Sequence, residues 1–109
     1  QTMLKQAHIT VKGDVTKAGY RGWMRIKARE CNVTGIVRNV YNQPDVYGPH
    51  GGVEMIIQGE EESVKDMLEY VKEGSPISRV DDMEIRYEDP KEIYEDFTVF
   101  KSQSYHPLE

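Results

Sequence analysis

One side chain, Arg21, is the first candidate for chemistry. Arg21 closes the run Gly13-Asp14-Val15-Thr16-Lys17-Ala18-Gly19-Tyr20-Arg21, in which a strand pattern breaks into a short loop and a helix then begins. Such a junction aims several unpaired backbone N–H groups at one point, and an arginine at its end adds a planar fork of charged donors. A phosphoryl group or another small tetrahedral anion complements that arrangement, although a bare turn would use the same residues. Other chemistries find less support. Cys31 is the sole cysteine, so no internal disulfide or cysteine metal cage is available. No histidine stands where it would activate Cys31 as a nucleophile. His8, His50 and His106 are scattered without carboxylate or cysteine companions at ligand spacing, so no metal and no cofactor are expected.

The elements that must position these residues can be read from periodicity. Residues 8–13 read as a strand, with β-branched residues in rough alternation. From Arg21 to Asn32 the period changes: Met24, Ala28 and Cys31 form an amphipathic stripe, and Asn32 suits a left-handed stop. Residues 33–41 return to strand chemistry. Residues 42–51 hold two prolines and two glycines and read as a loop. A third strand spans 52–58, a second helix 60–73 carries Val64, Met67, Leu68 and Val71 on one stripe, and Gly74 closes it. A fourth strand covers 80–87, and Phe97 to Phe100 makes a short fifth. Strand, helix, strand, strand, helix, strand is the order of a ferredoxin-like α+β sandwich, an antiparallel sheet with both helices on one face. A right-handed crossover makes the first two strands parallel, so the 15–21 loop, Asn39 and the 42–51 loop converge on one edge.

Length and charge narrow the function. The chain has 109 residues and a net charge of −5, which fits one domain, placed at residues 6–101 with tails at 1–5 and 102–109. No apolar run is long enough to span a membrane and no leader pattern precedes the first strand, so a cytoplasmic monomer is expected. Residues 1–38 hold eight Lys or Arg against two acids (+6), whereas residues 39–109 hold six against seventeen (−11). A locally positive cleft on an acidic chain draws a small anion and repels a long polyanion. The same strand order builds the RNA-recognition motif, but residues 52–58 contain no aromatic on which a base could stack. Nucleic acid and membrane are therefore excluded as expected partners.

The motifs together resemble the acylphosphatase family. They are Gly13-x-Val15 with Tyr20-Arg21, Trp23-Met24, Ala28, Val33-x-Gly35, Val37-Arg38-Asn39, Gly51-x-Val53-Glu54, Gly59, Val64 and Met67, Gly74-Ser75-Pro76, and Phe97, a pattern spanning about residues 7–100. The resemblance implies metal-independent hydrolysis of acyl phosphates to carboxylate and phosphate. It assigns Arg21 to gripping the phosphoryl group, Asn39 to positioning the attacking water, and Val15, Thr16, Lys17, Ala18, Gly19 and Tyr20 to the phosphate-binding loop. The implied partner is a small acyl phosphate, inorganic phosphate or another small anion. Three departures stand out. Thr16-Lys17-Ala18 replaces the family's usual Gln-Gly-Val, so Lys17 either adds a phosphate contact or reshapes the nest of N–H groups. Ile36 replaces an aromatic after Gly35. Eleven residues separate Asn39 from Gly51 where the family has about three, which makes Tyr41, Tyr47 and His50 a candidate lid or a surface for a protein partner. A domain that binds an anion or a protein without catalysis is the alternative these departures leave open.

Overall fold

The computed structural model describes residues 4–16, 19–41, 43–49 and 51–100. Strand β1 (Lys5–Asp14) leads through the loop to helix α1 (Tyr20–Cys31), β2 (Thr34–Val40), a one-turn helix α2 (Pro44–Tyr47), β3 (Gly52–Gly59), helix α3 (Glu61–Glu73), β4 (Arg79–Glu88) and β5 (Phe97–Val99). Alternation puts Ala7, Ile9 and Val11 of β1, Val37 of β2, and Val53, Met55 and Ile57 of β3 into one core with Met24 and Ala28 of α1 and Val64, Met67, Leu68 and Val71 of α3. Tyr20 joins the α1 stripe, fully buried, and its hydroxyl donates to Val71 O at 2.8 Å, tying α1 to α3. Asn32 ends α1 with φ 61° and bonds back to the last turn, as its residue type suggests.

The sheet order is β4-β1-β3-β2-β5. Four strands pair antiparallel, and β5 lies parallel to β2, with Gly35 opposite Phe97. Phe97 is buried in the core, which explains why so short a strand holds its place. Met83, Ile85 and Tyr87 of β4 do alternate, opposite Val11, Ile9 and Ala7, but Ile85 and Tyr87 stay exposed because β4 is an edge strand. The ends of β1, β2 and β5 and the starts of β3 and β4 all lie at one edge of this sheet, as the topology requires.

The opposite face of the sheet carries a polar layer that periodicity does not reveal. Glu54 is buried, and its carboxylate accepts from Arg38 Nε at 2.8 Å and Nη2 at 2.6 Å, with His8 Nε2 at 2.7 Å from its other oxygen. Gln58 donates to Gln6 and to Glu92 O and accepts from Tyr94 N, which holds the chain around 92–94 against that face. Burial pushes the Glu54 carboxyl up, but the hydrogen bonds and charges of His8 and Arg38 outweigh it and hold the group below its ordinary range. The stability this supplies is complete above the unfolded value of about 4.3 and is lost as pH falls through the lower folded value. Glu54→Ala leaves a buried guanidinium short of its carboxylate. It should cost about 3 kcal/mol in urea unfolding at neutral pH, the low end for such a loss, because Arg38 keeps a further interaction. The difference from wild type should shrink on acidification.

Candidate active site

β1 turns into the loop through a bulge at Lys12 and Gly13. Gly13 has φ 137°, and a Cβ there would stand 2.2 Å from Arg79 O and 2.8 Å from Asp81 N, so glycine lets β1 pass close to β4 as it leaves the sheet. Val15 plugs the loop into the core and Thr16 is half-buried. Gly19 is the N-cap of α1 with φ 66°, and the first helical bond runs from Trp23 N to Gly19 O. Among the described residues no side chain caps this end and no acid sits in its first turn. The leading N–H groups of α1 therefore lack helical partners, and the positive end of the helix dipole is not neutralised locally. Lys17, Ala18 and His50 lie outside the described residues.

Arg21 sits in that first turn, half-buried, and its Nη1 donates to Phe100 O. Phe100 N in turn donates to Val37 O, so the arginine head is fastened beside the end of the strand that carries Asn39. Asn39 is buried, and its Nδ2 donates to Thr16 O at 3.1 Å and to the Tyr41 hydroxyl at 3.3 Å. One amide thus ties the loop, the end of β2 and the start of the insertion together. Tyr20 points away, into the core, so only its backbone can serve the loop.

The two described tyrosines of the insertion differ. Tyr47 is buried, its ring lying where a Cβ on residue 52 would be 2.4 Å away, so Gly52 gives α2 its seat on the sheet end. Tyr41 is exposed and faces a cavity of about 650 Å³ that Thr16, Tyr47, Arg79 and Asp81 also line. Three parts of this edge lie outside the residues singled out from the sequence. Arg79 and Asp81 could have been found, because β4 runs antiparallel to β1 and must begin beside its end. Helix α2 has a signal in Pro44 followed by Asp45. The partner of Arg21 is a main-chain carbonyl and leaves no trace in residue type.

Helices layered on a sheet of this order, with an arginine and a loop-binding amide at one edge, define a ferredoxin-like α+β sandwich. Within that class the chain belongs to the acylphosphatase family, whose sequence profile matches residues 7–99. It is 33% identical over 98 residues to an acylphosphatase of Caldanaerobacter subterraneus subsp. tengcongensis, covering 90% of this chain and all of the relative. The crystal structure of an acylphosphatase from Bacillus subtilis superposes with a TM-score of 0.77 at 30% identity, covering 90% of this chain and 99% of that one. Full-length HypF, in a phosphate- and nucleotide-bound form, contains a similar region with a TM-score of 0.78 at 25% identity, covering 94% of this chain but 13% of HypF.

Proposed function

We propose that the chain is an acylphosphatase that hydrolyses the carboxyl–phosphate bond of a small acyl phosphate without a metal, with Arg21 and Asn39 as its catalytic residues. One observation supports the assignment of roles above the rest: the Asn39 amide is bonded to the backbone of the loop that leads into the N-terminal end of α1, where Arg21 stands. The phosphoryl oxygens bind the N–H groups between Thr16 and Tyr20 together with the Arg21 guanidinium. Asn39 orients a water in line with the bond to be broken. The water oxygen forms the new P–O bond, the carboxylate leaves with the electron pair of the old one, and the water proton passes to the phosphate product or to solvent. A carboxylate is stable enough to leave without an acid. Negative charge spread over the phosphoryl oxygens in the transition state falls on preorganised donors. These residues form one domain with the rest of the sandwich.

The test is hydrolysis of benzoyl phosphate and acetyl phosphate by the purified chain in excess chelator. Turnover should be undiminished by the chelator and competitively inhibited by inorganic phosphate. Absence of turnover in both substrates, with phosphate still bound, would assign the chain instead to anion binding without catalysis.

A further inference from the structure

The cavity beside the loop is far larger than a phosphoryl group requires. At about 650 Å³ it falls within the range of small-molecule sites, and an acetyl group would leave most of it empty. It is also attached to the reacting edge. Thr16 lines it and presents to Asn39 the carbonyl that accepts from Nδ2, while the hydroxyl of Tyr41, which also lines it, meets that same Nδ2. An acyl chain leaving a phosphoryl group held near Thr16 and Asn39 therefore has this space next to it.

The walls specify what fits. Tyr41 and Tyr47 offer two aromatic rings, and Tyr47 is buried and backed by the sheet end, so it is preorganised. The lining also holds Asp14, Arg79 and Asp81, and Arg79 is taken up by Asp81 through Nε at 2.8 Å and Nη2 at 3.3 Å. Two carboxylates against one engaged guanidinium leave that part of the lining negative, which disfavours a second anionic group on the substrate. We propose that this cavity, walled in part by Tyr41, Tyr47 and Pro49, is the acyl-group subsite and that it selects uncharged aromatic acyl phosphates over short or anionic-tailed ones. The inference rests on the hydrolase reading above, and its test separates the two.

The first measurement is the ratio of kcat/KM for benzoyl phosphate to that for acetyl phosphate. Both substrates share the phosphoryl group, so any disturbance of Asn39 cancels in the ratio. It should fall about 10-fold, the scale of a lost apolar contact, in Tyr41→Ala and in Tyr47→Ala, and stay near wild type in Tyr41→Phe, which keeps the ring. The second is calorimetric binding of the non-hydrolysable benzoylphosphonate, acetylphosphonate and 4-carboxybenzoylphosphonate to the wild-type chain. Benzoylphosphonate should bind tightest of the three. Hydrolysis of both substrates with an unmoved ratio in both alanine variants, or with equal affinity for the three phosphonates, overturns the subsite and leaves the hydrolase. Preference for benzoylphosphonate without hydrolysis supports the subsite and overturns the hydrolase. Failure to bind any phosphonate, with no hydrolysis, overturns both.

Discussion

Arg21→Ala should lower kcat/KM for benzoyl phosphate by about 100-fold or more, the scale of one lost preorganised donor at a developing charge, and leave the melting temperature nearly unchanged. The rate effect follows from position. Arg21 stands in the first turn of a helix whose leading N–H groups are uncapped among the described residues, so its charge adds to theirs where the phosphoryl oxygens would lie. Its Nη1 is engaged by Phe100 O, which orients the guanidinium plane before substrate arrives and leaves other N–H groups of the fork to the anion. The small stability effect follows from exposure, because that bond is open to solvent and its carbonyl can be hydrated instead. Inhibition by inorganic phosphate should weaken less than the rate, since a group aligned on the transition state contributes more there than to binding of the ground state. Arg21→Lys keeps a point charge but not the fork, and its rate should fall between those of the wild type and Arg21→Ala. Steady-state kinetics and a thermal melt on the three proteins check this. A rate for Arg21→Ala within a few-fold of wild type would remove Arg21 from the machinery.

How much of this edge can be read from residue order depends on where each partner lies. Within one element the periodicities suffice: Met24 and Ala28 at helical spacing, Ala7, Ile9 and Val11 at strand spacing, and Asn32 as a stop all reflect interactions with near neighbours in sequence. Topology then carries Asn39 to the loop, because strands that run parallel across a sheet end at the same edge. Contacts between side chains of distant elements are less legible. His8, Arg38 and Glu54 stand far apart in sequence on three strands, and only the pairing of β1, β3 and β2 shows that they face one another in a buried layer. Tyr47 lies in a stretch whose prolines and glycines signal only a loop, and nothing in that pattern shows that Gly52 makes room for its ring and buries it. The family resemblance implies roles for Arg21 and Asn39 but says nothing of the cavity, part of whose wall, Tyr47 to Pro49, comes from an insertion the family pattern lacks.

Asn39→Ala should reduce kcat by about 100-fold or more and also destabilise the fold by about 1 kcal/mol, the scale of one buried hydrogen bond. Unlike Arg21, Asn39 is buried, and its Nδ2 supplies a hydrogen bond to the Thr16 carbonyl. Removing the amide takes away the group that would orient water and also releases the backbone of the loop it braces. The two losses can be told apart. Loss of water positioning acts on kcat alone, because the water does not contribute to substrate binding. Loosening of the loop raises KM as well, because its N–H groups must then be ordered by the substrate. A fall in kcat with a smaller rise in KM is the expected pattern, and an unchanged kcat with a raised KM would make Asn39 only a brace. Asn39→Asp sharpens the distinction. The carboxylate nearly preserves the shape of the amide but replaces the donor facing Thr16 O with an acceptor, so two acceptors meet and the loop is pushed away. At neutral pH its charge also opposes the phosphoryl oxygens. Asn39→Asp should therefore be at least as damaging as alanine to KM, and part of its activity should return as pH falls through the pKa of the introduced carboxyl, because the protonated group donates a hydrogen bond again. Alanine cannot recover in this way, so the pH profiles of kcat and KM for the two variants identify what the Asn39 amide contributes.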